Sequence, residues 1–386
     1  MNSRNCRITL IANGFQPDYV INLINSLAEN NIGVDFIGSD IYEVSNIDAR
    51  INIINIRGSH REDRNIIEKI VTLLRYYINL YIYVSKSKNK LLHIQWFRSS
   101  FIEGVVLNIL FKYQDKKIIY SAHNIIPHDR DNIVNRLIFN HIYHISNIII
   151  VHTKYMKDRL VNEFKISENK IRIIKHGVYK ICLDDSVDTI HARSSLGIKS
   201  NDKVILFFGN IVPYKGLPVL INAFSDCIKE IDNIKLIIGG KIEDKYRNKI
   251  QTLIGRSGVD SNIITKYGYL KEKEIDVLFK ASDIVILPYL EASQSGVMFM
   301  AYAYGKPVIA SNLGGFPGDI TIGKTGYVFA TGDSNDLALK IIQYYKELWP
   351  RKEQVELLIR NHASTYYSWS RIGKDLKYIY SELENE

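Results

Sequence analysis

The sequence predicts an α/β protein with two doubly wound parallel sheets in tandem. Short apolar runs recur at residues 8–12, 34–37, 51–54, 91–94, 117–120, 147–151 and 171–174, mostly separated by stretches long enough for a helix. A second series starts at 204–208 and continues at 235–238, 263–266, 284–287 and 308–310. Strands that alternate with helices form a parallel sheet covered on both faces. A chain of 386 residues also exceeds one ordinary core, so two domains are expected.

The composition narrows the function classes. With 46% hydrophobic and 24% charged residues the chain reads as globular and soluble. No apolar run reaches the roughly 18 residues that a spanning helix needs, and the first strand carries polar and charged residues instead of a signal core. The chain is therefore expected neither to span a membrane nor to be exported. Cys6, Cys182 and Cys227 are scattered without paired spacing, which suggests neither a disulfide framework nor a zinc site and fits a reducing cytosol. A net charge of +9 implies attraction to a nucleic acid, a nucleotide diphosphate or an acidic membrane surface. No nucleic-acid-binding signature accompanies it, which disfavours the first.

Two segments carry the chemistry. The apolar strand 284–287 ends at Pro288, and Gln294, Ser295 and Gly296 then open an apolar helix that closes at Gly305 before a further strand at 307–310. The first N–H groups of such a helix lack internal partners and its dipole end is positive, so an anion binds there without a dedicated cation. Upstream, the strand 204–208 runs into Gly209, Asn210 and, after a short turn, Lys215 and Gly216 ahead of a helix at 217–224. A glycine at the strand end admits a ligand to the backbone, and the lysine reaches a phosphate as a point charge.

The order FFGNIVPYKG, LPYLEASQSG, AYGKPVIASNLGG resembles the nucleotide-sugar half of a family 4 retaining glycosyltransferase with the GT-B fold, in its Q-S-G, surface-polysaccharide subset. YSAHNIIPH at 120–128, VHT at 151–153, IRIIKHGV at 171–178 and RSSLGI at 193–198 resemble the same family's N-terminal domain and hinge. The resemblance implies two Rossmann-like domains facing a central cleft. Residues 1–183 would form the acceptor side, the polar stretch 184–203 a linker and 204–362 the nucleotide-sugar domain. An amphipathic helix at about 363–383, within a terminal segment 363–386, would cross back to the N-terminal domain.

The implied reaction moves a sugar from a nucleoside diphosphate to a saccharide or lipid-linked acceptor, in cell-surface polysaccharide or glycan assembly. The donor is a co-substrate, and neither a further cofactor nor a metal is expected. Two rivals fit the same fold. A sugar-nucleotide epimerase would need a carboxylate cluster that is not evident, and a non-catalytic subunit would show no donor turnover by itself.

Lys215 is the leading diphosphate anchor, because a cation at a helix start opposes the dipole unless an anion answers it. Gly209 and Asn210 accompany it, the latter where the family usually carries an arginine. Gln294, Ser295 and Gly296 supply N–H groups and a hydroxyl, although Ser295 also reads as an ordinary helix cap. The family's pair of glutamates falls on Ala292 and Met300, and Glu291, one position away, is kept as a donor contact. His123 matches the family's histidine at the donor sugar and is the catalytic candidate. His128, His152 and His176 are weaker candidates that equally suit backbone satisfaction. Gly14 stands where the family has a Gly-rich turn under the diphosphate. Asp129 and Asp131 form a D-x-D, read as the polar start of a helix at 133–143 instead of a metal site. The basic, tyrosine-rich stretch 66–90, with Arg75, Lys86, Lys88 and Lys90 beside Tyr76, Tyr77, Tyr81 and Tyr83, is read either as packed helix or as contact with an anionic membrane from the cytoplasmic side.

Overall fold

The computed structural model describes residues 6–14, 16–58, 65–126, 131–178 and 188–385. His128, Asp129 and Cys182 lie outside the described residues. The chain divides into two compact units, Met1–Gly177 with Tyr367–Glu386, and Val178–Tyr366.

The first unit holds strands β1 (Arg7–Ile11), β2 (Gly33–Ile37), β3 (Asn52–Ile54), β4 (Leu91–Ile94), β5 (Lys117–Ser121), β6 (Ile148–Val151) and β7 (Ile171–Ile173). They form one parallel sheet in the order β3-β2-β1-β4-β5-β6-β7. Its helices are α1 (Pro17–Glu29), α2 (Ile66–Lys86), a π-helical turn (Ile102–Leu107) running into α3 (Asn108–Lys112), α4 (Ile133–Ile145) and α5 (Lys154–Phe164). One apolar cluster joins α2, α3, α4 and α5 through Tyr76, Leu80, Phe111, Phe139, Ile142 and Leu160. The other joins α1 to the last helix of the chain through Leu23, Leu27, Ile372, Leu376 and Tyr380.

The second unit begins with α6 (Thr189–Ser195) and contains β8 (Lys203–Phe208), α7 (Leu217–Glu230), β9 (Ile234–Gly240), α8 (Asp244–Ser257), β10 (Ile263–Tyr267), α9 (Glu272–Ala281), β11 (Ile284–Leu287), α10 (Gly296–Ala303), β12 (Val308–Ser311), α11 (Phe316–Asp319), β13 (Gly326–Phe329), α12 (Ser334–Glu347) and α13 (Lys352–Tyr366). Its parallel sheet runs β10-β9-β8-β11-β12-β13. The strand β13 escaped the sequence reading because it is only four residues long, GYVF, and begins with a glycine.

Two expectations need correction. Of the expected linker, residues 188–203 belong to the second unit: α6 packs on α9, and the buried Arg193 bonds the carbonyls of Ser200, Asp202 and Ala281. The single helix expected at 363–383 is two, since α13 ends at Tyr366 and α14 (Trp369–Asn385) starts after a break. Helix α14 lies in the first unit, with Ile372, Leu376, Ile379 and Leu383 against α1, while Ala363 stays in the second.

In each sheet the winding direction reverses once, between β1 and β4 and between β8 and β11. Open α/β sheets bind ligands outside the carboxyl ends of the strands at such a reversal. Gly14 and Gln95 follow β1 and β4; Gly209 and Pro288 follow β8 and β11.

Candidate functional site

In the second unit the structure brings the two predicted segments together. Leu290 N–H donates to Tyr214 O at 2.7 Å, tying the turn after β11 to the turn after β8. Two glycines are required here. Gly216 has φ +67°, and a Cβ on it would stand 1.8 Å from Pro288 O; Gly209 has φ +113°, with Lys215 Nζ 2.9 Å from where its Cβ would be. Val297 of α10 flanks the same point at 3.3 Å. Lys215 therefore reaches across Gly209 toward the start of α10.

The Lys215 ammonium lies 5.3 Å from the centroid of the Tyr289 ring and forms no ion pair or hydrogen bond among the described residues. Burial pulls its pKa down to about 8. A buried cation without a counter-ion is costly, and it is resolved by an incoming anion. Ser295 caps α10 in position only: its hydroxyl hydrogen-bonds the buried Tyr289 Oη at 3.1 Å and makes no side-chain cap. What remains for a ligand is the backbone N–H groups of Gly296 and Val297, since Met298 N–H donates to Ser295 O at 3.2 Å. Gln294 is half-buried beside them, whereas Glu291 and Asn210 are exposed on the two turns. Tyr289, which the sequence reading passed over inside LPYLEASQSG, forms the wall beneath Lys215.

In the first unit His123 sits at the carboxyl end of β5, 7% exposed, with Trp96 stacked on its ring at 3.9 Å and Tyr19 edge-on at 5.2 Å. Its neighbours determine its protons. His152 Nδ1 faces the Ile174 carbonyl at 2.8 Å and so carries a hydrogen. Burial holds the His152 pKa near 4, so at neutral pH its Nε2 accepts, and His123 Nδ1 at 3.2 Å donates to it. His123 Nε2 is then an acceptor, which requires the Gln95 amide, 3.0 Å away, to turn its NH2 toward it and its oxygen toward His93. His93 in turn accepts from the Tyr380 hydroxyl of α14 at 2.6 Å. Both nitrogens of His123 thus have partners inside the unit, at the carboxyl end of β5. His176 bonds Gly177 O at 2.8 Å, in keeping with its structural reading.

Gly14, φ +78°, donates its N–H to Tyr42 Oη at 3.1 Å. Beside it the buried Asn13 donates to Trp96 O at 2.8 Å and to Glu103 Oε2 at 3.0 Å, and accepts from Tyr76 Oη at 3.1 Å. Glu103 stands on the π-helical turn, a distortion common at functional sites, and burial raises its pKa to about 7. Its folded value exceeds the ordinary 4.5, so the folded chain holds the extra proton between those values. Stability should accordingly fall as pH rises through that window, by up to about 1.4 kcal/mol per unit, and level off above it. Urea unfolding at several pH values checks this; in Glu103→Gln the decline should vanish.

Among the described residues no three His, Cys, Asp or Glu side chains are grouped to hold a metal ion. Asp131, half of the D-x-D, forms a two-point ion pair with Arg136 at 2.6 and 2.7 Å, while Asn132 caps α4.

Two parallel-sheet Rossmann-like units, each with its reversal point lined as above, describe the GT-B glycosyltransferase architecture, and the sequence comparisons agree. The family model Glycosyltransferase Family 4 matches residues 16–179, and Glycosyl transferases group 1 matches 188–358. The chain belongs to the family 4 glycosyltransferases. It is 23% identical to the D-inositol 3-phosphate glycosyltransferase of Corynebacterium aurimucosum, over 94% of this chain and 90% of that protein. It is 26% identical to an uncharacterised glycosyltransferase of Methanocaldococcus jannaschii, over 60% of this chain but 59% of the other. Among solved structures, Anabaena HepE in complex with UDP has a TM-score of 0.75 at 17% identity, covering 98% of this chain and all of the other, and so shares the fold.

Proposed function

We propose that this family 4 glycosyltransferase transfers a sugar from a nucleoside diphosphate to a saccharide or lipid-linked acceptor, with retention at the anomeric carbon and without a metal ion, in cell-surface glycan assembly. The observation that carries the reading is Lys215, a buried ammonium with no counter-ion among the described residues, held against Gly209 and the start of α10. The departing diphosphate develops negative charge, and a preorganised cation with unbonded helix N–H groups stabilises it electrostatically. The UDP in the HepE structure supports a nucleotide donor in this fold. His123 enters as a positioning residue that holds Trp96 and Gln95 at the carboxyl edge of the first sheet. Thermal shift with UDP-, GDP-, ADP- and dTDP-sugars identifies the donor, and NMR of the product formed in excess EDTA reads the anomeric configuration. An inverted product, or activity lost in EDTA and restored by manganese, would sink the reading.

The peripheral contact with an anionic membrane, on the cytoplasmic side, is part of the same proposal, with a change of face. Tyr76 and Tyr77 are core residues, and Tyr83 bonds Asp35 at 2.7 Å, so the tyrosines of α2 do not make an outward-facing row. The outward stripe is aliphatic: Ile67 (73% exposed), Ile70, Val71, Leu74 (57%), Ile78 and Ile82 recur at helical spacing. Helix α3 adjoins α2 through the stacked Tyr81 and Phe111 and also packs on α4, where Ile133, Val134 and Leu137 are exposed as well. Arg75, Lys86, Lys88 and Lys90 share the stretch 66–90 with a single acid, Glu68. An aliphatic stripe flanked by cations suits a lipid interface, each cation near it contributing about 1 kcal/mol. No described helix is long and apolar enough to cross a membrane. The chain should sediment with anionic vesicles at low salt, and Ile70→Glu/Leu74→Glu should release it; equal recovery in the supernatant with and without vesicles would refute the contact.

A further inference from the structure

We propose that Arg57, assisted by Arg98, forms a subsite in the first unit for an anionic group of the acceptor, a phosphate or a carboxylate. The proposal deepens the glycosyl-transfer reading above and rests on it only for the word acceptor.

Arg57 follows β3 and is 9% exposed. One guanidinium nitrogen, Nη1, is anchored on the Asn13 carbonyl and lies 3.5 Å from Asn13 Oδ1. Both acceptors are neutral. Among the described residues no carboxylate pairs with Arg57, and its other nitrogens have no hydrogen-bond acceptor. Glu103, whose charge acts on Arg57, is spent elsewhere: Oε2 accepts from Asn13 Nδ2 and from the Arg98 backbone N–H at 2.7 Å, and Oε1 is buried without a hydrogen-bond partner. With its pKa near 7, Glu103 offers only part of a charge at neutrality. Burial, and after it repulsion from the exposed Arg98, pull the Arg57 pKa down.

A buried guanidinium repelled by a second cation and paired with no carboxylate among the described residues is unfavourable as it stands. An arginine fork matches the oxygens of a phosphate or carboxylate at two points, which neither a neutral sugar hydroxyl nor a helix N-terminus requires. The location agrees, because Arg57 is fastened to the chain just after β1, at the reversal point between β1 and β4 where parallel sheets receive ligands. Tyr42 and Tyr76 brace the same turn through Gly14 N and Asn13 Oδ1. The anchoring of Nη1 leaves the opposite edge of the fork as the binding edge.

The test is direct binding of inorganic phosphate and of D-glucuronate, followed by NMR or calorimetry on the full chain. It is run in the Lys215→Ala background so that phosphate at the second unit does not contribute. Arg57→Gln keeps a donor for the Asn13 carbonyl while removing the charge, and Arg98→Gln alters an exposed residue with little risk to folding. Binding of one or both anions should weaken at least tenfold in Arg57→Gln and severalfold in Arg98→Gln; which anion responds tells phosphate from carboxylate. In the Lys215-containing chain, nucleoside diphosphate affinity should stay within twofold in either variant. Anion affinity unchanged by both substitutions overturns the subsite, and so does a loss of nucleoside diphosphate affinity, which would assign the arginines to the donor. If the chain turns over no sugar nucleotide yet binds the anions through Arg57, the transfer reading fails and the anion site stands.

Discussion

Replacing Lys215 with alanine should leave the chain folded and weaken nucleoside diphosphate binding roughly 30- to 150-fold, the equivalent of about 2 to 3 kcal/mol for one charge-assisted phosphate contact. Folding is spared because the ammonium holds no ion pair or hydrogen bond among the described residues. Its pKa adds a signature that simple damage would not mimic. Burial lowers it from 10.5 to about 8, so between those values the unfolded chain binds more protons than the folded one and the stability of the free protein should rise with pH. That rise should be missing in Lys215→Ala. A bound diphosphate favours the charged form and reverses the shift, so binding at about pH 8.5 should take up a proton and weaken further as pH rises. Calorimetry in two buffers of different ionisation enthalpy measures the uptake; identical heats after correction for each buffer would remove Lys215 from the phosphate site.

Arg193→Ala should cost the second unit about 3 to 5 kcal/mol, the range for breaking a buried ion pair on one side. Arg193 Nη2 meets Asp283 Oδ1 at 2.9 Å, with side chains 6% and 4% exposed, while Asp283 Oδ2 accepts from Val204 N–H at 2.7 Å. Burial pushes the Asp283 carboxyl up, and Arg193 is what opposes the shift. Without the arginine a buried carboxylate is stranded under β8 and β11, the two strands that carry Gly209 and Pro288. Replacing both partners, as in Arg193→Met/Asp283→Leu, should recover much of the loss, since apolar pairs often substitute for buried ions. Urea unfolding followed by tryptophan fluorescence and far-UV circular dichroism reads both. A single-variant loss below about 1 kcal/mol would mean that 188–203 is held by α6 packing alone.

Twelve of the thirteen strands were legible as apolar runs, most plainly the inner ones, because a parallel strand buried on both faces must be apolar along its whole length. Lys215, Gly209 and the 294–296 turn were legible too, since their chemistry is local to a strand end and a helix start. Arg193 reads as linker only while its partner is unknown: Asp283 stands 90 residues away and nothing in the polar stretch around it signals burial. The tyrosines of α2 suited either packing or a membrane contact in sequence, and only the packing of Tyr76 and Tyr77 into the core showed that its aliphatic side faces outward.

By itself, then, the sequence determined the alternation of strand and helix, the division into two sheets and the phosphate-facing segment, all of which follow from periodicity and backbone chemistry within a few residues. Tertiary structure alone decided which groups lack a partner. His123, a ligand candidate in sequence, has both nitrogens engaged by Gln95 and His152, whereas Arg57, unremarked in sequence, is buried beside Asn13 with no carboxylate to meet it among the described residues. The reason is physical: whether a buried charge or ring nitrogen is satisfied depends on neighbours brought from distant strands, and the cost of leaving it unsatisfied is set by burial.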